Sequence, residues 1–292
     1  MRLFWCLLCS LTILTPGLVP ARAQVPSLRV RPTTPRQGEV LFVHLEAPSE
    51  ETPEATWRGR KYLLYRQGDG WGAALPVSPE TPAGAQSLVV TYGSASARQE
   101  LRRSVPVSRV TFPVQRLAMT RAKAGLYSYA GVEKEDETIQ DAAHVQTDSA
   151  AWSGDWALPV QGRRSTPFGV RRLRNGKAVG RHRGLDIAAP TGTPVVAPAA
   201  GRVVLAGKFK KHGNTVVLDH GQGVTSIYIH LSGFNVRSGQ SVSRGARLGK
   251  VGSTGASTGP HLHWSVYAQG TPVDPAFFLK LSKRGVNASV ER

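Results

Sequence analysis

T-V-V-L-D-H-G-Q-G-V-T-S-I-Y-I-H, residues 215–230, decides the fold of the C-terminal half. Two runs rich in β-branched and aromatic residues, 215–219 and 224–230, are divided by Gly221-Gln222-Gly223, which reads as strand, turn, strand. The cadence continues on both sides. Residues 194–197 and 201–205 are separated by Pro198-Ala199-Ala200, and 246–251 and 261–267 follow. Residues 236–249 have the rhythm of a tight turn between two strands. Short β segments spaced this closely leave no room for long helices and predict an all-β barrel or folded sandwich.

On that scaffold sit H-R-G-L-D (residues 182–186), Y-I-H-L (228–231) and G-P-H-L-H-W (259–264). His261 and His263 are two apart, so on a strand both imidazoles face one side. His182 and Asp186 are four apart, and Gly184 between them lets a loop turn both towards one point. Imidazole nitrogen and carboxylate oxygen suit zinc, and a catalytic zinc keeps three protein ligands plus an open position. His182, Asp186, His230, His261 and His263 exceed that number, so three bind and two do proton chemistry. No H-E-x-x-H glutamate is present, which leaves the base to a histidine.

Outward from this region, 292 residues suffice for two domains. Arg2, the apolar run 3–14 and Ala21-Arg22-Ala23 form a secretory signal pattern, too short to span a bilayer as a permanent anchor. Cys6 and Cys9, the chain's two cysteines, fall inside it, so the mature chain has no disulfide, Cys-ligated zinc or Cys nucleophile. Loss of Arg2 and Arg22 takes the formal charge from +18 to +16. An exported chain this basic associates with anionic envelope polymers, and with no nucleic-acid motif present, nucleic acid is not expected as a partner.

The region up to residue 110 shows strands at 28–30, 40–45 and 87–92, and a hairpin in which 61–67 and 71–77 flank Gly68-Asp69-Gly70. It predicts an antiparallel β-sandwich. Trp57, Tyr62, Tyr65 and Trp71 read as its core rather than a sugar-binding face. His44, His144 and His212 read as packed or surface residues, and His220 as a turn cap. Residues 133–149 predict a connector helix with Glu133, Glu135 and Asp136 in its first turns. That helix reads as solvated, the alternative being a segment laid over the basic C-terminal domain. Eight cations between Arg163 and Arg183, with no acid among them, read as a solvated loop face placed to hold anionic polymer near the site.

F-G-V-R-R (residues 168–172), H-R-G-L-D-I-A-A-P-T-G-T-P-V (182–195), G-N-T-V-V-L-D-H-G (213–221), Y-I-H-L and T-G-P-H-L-H-W (258–264) resemble the lysostaphin-type (LytM-like) zinc metallopeptidases that cut the peptide part of peptidoglycan. The resemblance covers about residues 156–278. It implies a compact antiparallel β domain of barrel-sandwich hybrid type, zinc held by His182, Asp186 and His263, and proton transfer by His230 and His261. Either of these two could be the base. The expected organisation is a signal peptide at 1–23, a β-sandwich domain at 24–110, a connector at 111–154, a zinc endopeptidase domain at 155–279 and an unstructured tail at 280–292. A monomer in the periplasm, envelope or exterior, acting on peptidoglycan stems and cross-links, is expected. The competing readings are a non-catalytic regulator of another wall hydrolase and a wall-binding module with a structural metal.

Overall fold

A computed structural model describes residues 25–118, 120–152 and 156–283. The signal-peptide reading and both cysteines lie outside them. The first unit comprises β1 (Ser27–Arg31), β2 (Val40–Glu46), β3 (Glu54–Trp57), β4 (Arg60–Leu63), β5 (Tyr65–Gln67), β6 (Gly70–Pro76), β7 (Gly84–Ser94) and β8 (Ala97–Val107). Two four-stranded antiparallel sheets, in the orders β1-β2-β6-β5 and β4-β3-β7-β8, make the expected sandwich. The run expected as one strand at 61–67 changes sheets at buried Leu64, while its second half pairs with β6 across Gly68-Asp69 as anticipated. Trp57, Tyr62, Tyr65 and Trp71 are all buried, and the Trp57 indole donates to the Pro76 carbonyl, so they are core rather than a binding face.

β2 and β6 are apolar on both faces for a reason visible in the packing. Leu41, Val43 and Leu45 point into the sandwich, whereas Val40, Phe42 and Ala74 join the core of the C-terminal unit. There Phe42 meets Trp152 and stacks on Phe277.

Between the units run β9 (Val114–Leu117), α1 (Arg121–Gly125) and α2 (Val132–Ala143). α2 is not a solvated helix. Ile139 and Ala143 pack on Val217, Ile227, Ile229 and Tyr267.

The C-terminal unit contains β10 (Arg163–Thr166), β11 (Arg171–Arg174), β12 (Lys177–Arg181), β13 (Leu185–Ala188), β14 (Pro194–Val196), β15 (Gly201–Phe209), β16 (Gly213–Gly221), β17 (Val224–Leu231), β18 (Gly233–Phe234), β19 (Ser241–Val242), β20 (Arg247–Lys250), β21 (His261–Ala268), β22 (Thr271–Val273) and α3 (Pro275–Lys283). Its main sheet has the order β10-β13-β21-β17-β16-β15-β19, with β22 added to β21. It is antiparallel, but the edge strands β10 and β19 do not pair with each other, so the barrel expectation is corrected to an open sheet. The cationic run is corrected too: it lies largely in β10, β11 and β12 rather than in a loop. β11 and β12 form a hairpin around Asn175-Gly176, both at positive φ, and β11 takes parallel β9 as its other neighbour. The tail expectation fails over residues 280–283, which continue α3, because Phe277, Phe278 and Leu281 bury one helix face in the core.

The two faces of the main sheet do different work. Leu185, Ile187, Tyr228, Leu262 and Trp264 lie on the face that packs the large core. The opposite face carries Asp186, His261, His263 and Ser265 at one end and takes α2 at the other.

Candidate metal centre

β13 and β21 pair with Asp186 directly opposite His263, and Ile229 of β17 opposes His263 on its other side. Cross-strand partners share a face, so register alone brings the carboxylate to the imidazole. His182 arrives from the end of β12. Its Nε2 lies 2.9 Å from Asp186 Oδ1 and 2.9 Å from His263 Nδ1, and the latter two atoms are 2.7 Å apart. Gly184 serves close approach rather than loop flexibility: a Cβ there would fall 2.5 Å from the Trp264 carbonyl and 2.8 Å from His263 Nε2.

His230 reaches the site by breaking the strand rule. Alternation on β17 would send it to the core face with Tyr228. Instead Ile229 and His230 together oppose the single residue Thr215, a bulge in which His230 adopts φ 65°. Such a bulge re-aims one side chain and restores the pattern after it, and Leu231 returns to the core. The left-handed backbone costs about 1–2 kcal/mol in a non-glycine residue. It is held by the His230 N–H donating to the His212 carbonyl at 3.0 Å and by His230 Nδ1–H donating to the Thr254 carbonyl at 2.8 Å. The His230 ring stands 5.0 Å from that of His261.

Backbone carbonyls fix three tautomers. Nδ1–H of His182 donates to Pro167 at 2.8 Å, that of His230 to Thr254, and that of His261 to Gly259 at 2.8 Å. Each neutral ring therefore keeps its lone pair on Nε2. His261 Nε2 is 3.9 Å from Asp186 Oδ1. His263 differs, with Nε2 on the Ser265 hydroxyl at 2.8 Å and Nδ1 facing Asp186. In the His263 tautomer whose Nε2–H donates to Ser265, the lone pairs of His182 Nε2, His263 Nδ1 and the Asp186 carboxylate converge, and a cation among them would satisfy all three, as in a metal ligand set. Among the described residues these three form the group whose donor atoms suit a metal ion.

The electrostatics agree. Burial would raise the Asp186 pKa, but the His182 and His263 rings, in contact with its carboxylate at 2.9 and 2.7 Å, and the charge those rings can carry, hold it well below the usual carboxylate range. Burial pushes His263 down to about 4 against the pull of Asp186. Burial, then the charges of His261 and His263, push His230 down to about 3. Neutral imidazoles beside an ionised carboxylate are the protonation states that metal binding requires.

Several supporting residues were missed in the sequence. Arg172 Nη2 holds Asp186 Oδ2 at 3.2 Å, leaving Oδ1 for the centre. Ser265, two residues past His263, follows from the strand period that placed His261 and His263. Arg172 carried no signal to separate it from its basic neighbours. Two histidines need correction. His220 is no turn cap: buried, its Nδ1–H donates to the Ala200 carbonyl at 2.7 Å, its Nε2 accepts from the Ser226 hydroxyl at 2.7 Å, and its ring packs on Trp156. His212 is not a free surface residue, because its ring binds Glu135 of α2 at 2.6 Å. His44 is packed, as expected, and His144 is exposed.

An open antiparallel sheet presenting a His–Asp–His group that could hold a metal ion, with two further imidazoles beside it, matches the constellation of a metallopeptidase. The chain belongs to peptidase family M23, whose sequence profile matches residues 180–275. A crystal structure of an M23 peptidase from Pseudomonas aeruginosa is 34% identical, with a TM-score of 0.63, covering 84% of this chain and 94% of that one. The DD-carboxypeptidase/endopeptidase Mpg of Neisseria meningitidis is 45% identical over 116 residues, 40% of this chain and 27% of the relative. The peptidoglycan DD-endopeptidase ShyA of Vibrio cholerae is 45% identical over 111 residues, 38% of this chain and 26% of the relative. The matched segments thus span about a quarter of these two relatives.

Proposed function

We propose that the protein is an exported zinc endopeptidase that hydrolyses peptide cross-links of peptidoglycan, with His182, Asp186 and His263 as zinc ligands and His230 and His261 as the proton-transfer pair. The observation that carries this reading is the convergence of two imidazole lone pairs and an ionised, buried carboxylate within 2.9 Å, beside two further imidazoles with free Nε2 atoms. Zinc bound there would supply a water acidified towards neutral pH and polarise the scissile carbonyl. The chain's own residues do the rest. Pro167 and Ser265 orient the two ligand rings, and Arg172 turns Asp186. One of His230 and His261 takes the water's proton, and the other supports the oxyanion or protonates the leaving amine.

The domain reading follows: a leader at 1–23, a sandwich at 24–110, a connector at 111–154 and the catalytic domain at 155–279, acting as a monomer in the envelope or outside the cell. No helix among the described residues is long and apolar enough to cross a membrane. An anionic substrate is supported by a cleft of about 790 Å³ that reaches His182 between the sandwich, α2 and the C-terminal sheet. Arg60, Arg116, Arg171 and Arg183 line it and have no carboxylate partner among the described residues. Mass spectrometry of cross-linked wall fragments, incubated with the zinc-loaded chain with and without chelator, tests the proposal. Chelator-sensitive release of uncross-linked stems is expected. Zinc uptake with no product would return the non-catalytic regulator.

A further inference from the structure

Glu135, in the first turn of α2, is only 7% exposed and lies against the β15–β16 turn. The backbone N–H groups of Lys210, Lys211 and His212 donate to its carboxylate at 2.9, 3.0 and 2.8 Å. His212 Nδ1 adds a contact of 2.6 Å, and the Tyr129 hydroxyl donates as well. Consecutive N–H groups turned onto one carboxylate form an anion nest. Burial would raise the Glu135 pKa, but these donors, Tyr129 first, hold it at about 2, so the group is an anion at any physiological pH. The apolar contact of α2 with the sheet is made separately, by Ile139 and Ala143 further along the helix.

The turn gripped in this way is the one that holds the proposed proton-transfer histidines. The His212 carbonyl accepts from the bulged His230 N–H, and the Lys211 carbonyl accepts from Ala256 N–H at 2.7 Å. Ala256 belongs to the loop whose Thr254 and Gly259 carbonyls orient His230 and His261. Lys123 of α1 grips the same loop, donating from Nζ to the Gly255 carbonyl at 2.9 Å. Turn and loop have no slack between them: a Cβ on Gly255, which sits at φ +70°, would fall 2.4 Å from the Lys211 carbonyl.

We propose that Glu135, supported by Lys123, is a positioning residue that fixes His230 and the His261 loop from outside the catalytic sheet. The inference rests on the peptidase reading for its kinetic consequence, though not for the structural coupling. A glutamine at 135 keeps the shape but turns an amide N–H₂ towards the backbone donors, which leaves part of the nest unsatisfied.

The test uses the full-length, zinc-loaded chain and its Glu135→Gln, Tyr129→Phe and Lys123→Ala variants. Zinc content, kcat and KM on a cross-linked stem-peptide dimer, and amide exchange would be measured for each. In Glu135→Gln, kcat is expected to fall about 10- to 100-fold, with KM changed less than about twofold and zinc content unchanged. His230 and Ala256 amides should exchange faster while those of Val217 and Ile227 hold. Tyr129→Phe removes one donor of the nest and Lys123→Ala leaves the nest whole but frees the Gly255 carbonyl; both should show the same pattern more weakly, also serving if Glu135→Gln does not fold. Unchanged kcat, or exchange that rises evenly along β16 and β17, overturns the proposal. A wild-type chain that cleaves nothing, while Glu135→Gln still loosens the His230 amide, defeats the peptidase reading and leaves the coupling intact.

Discussion

Replacing Gly184 with alanine probes how closely two strands must approach to build the centre. The added Cβ would lie 2.5 Å from the Trp264 carbonyl, 2.6 Å from Ser265 Oγ and 2.8 Å from His263 Nε2. The serine can rotate away, but the carbonyl is fixed in the β13–β21 ladder. Ordinary contact begins at 3.4 Å, so β13 and β21 must part by about 0.9 Å. Overpacking of this kind costs about 1–3 kcal/mol, lowering Tm by roughly 2–10 °C. The larger effect falls on the site, because the parting strands carry Asp186 and His263, whose donor atoms are 2.7 Å apart. Zinc affinity should drop about 10- to 100-fold and turnover about 100-fold, read by competition with a chromogenic chelator and by product release. Ser265→Ala added to Gly184→Ala should not rescue either, since the carbonyl clash persists. Gly233→Ala, with open space around the new methyl, is the silent control. A Gly184→Ala protein with wild-type zinc affinity and turnover would refute the reasoning.

Other expectations separate the roles within the site. His182→Ala should lose zinc and activity together, whereas His230→Ala should keep its zinc and lose turnover by about 10²- to 10⁴-fold; a His230→Ala enzyme of normal rate would remove that residue from the mechanism. Binding to anionic wall polymer should weaken sharply from 0.1 to 1 M salt, as the screening length contracts from about 10 to about 3 Å, and salt-insensitive binding would contradict the arginine cleft. Glu135 is a carboxylate with a depressed pKa, so its stabilisation is present above its ordinary value of 4.5 and lost as pH falls towards about 2. The Tm gap between wild type and Glu135→Gln should therefore narrow across that window, and a constant gap would show that the nest is not charged.

Where local pattern and tertiary context agree, the sequence was readable. The Gly68-Asp69 hairpin, the paired strands on either side of Gly221–Gly223, and the shared face of His261 and His263 all follow from turn chemistry and a period of two. Strands of the cationic run were hidden because their side chains do not alternate, and one neighbour, β9, comes from the connector. Asn175-Gly176 was the available clue, since both positions take the positive φ of a two-residue hairpin turn. His230 could not be placed from alternation because a bulge overrides it, and nothing in Y-I-H-L marks the extra residue. Gly184 drew attention as a flexible link, but it is required because a backbone carbonyl and an imidazole occupy the space of its missing Cβ. Glu135 looked like an ordinary acid in a helix's first turn; its partners, 75 to 77 residues away, are invisible to a local reading.

Anomalous diffraction at the zinc edge, on crystals of the zinc-loaded full-length chain, tests the central claim most directly. The expected result is one strong peak about 2.0–2.2 Å from His182 Nε2, His263 Nδ1 and an Asp186 oxygen. A map empty at that point, or a peak seated on other side chains, would contradict it.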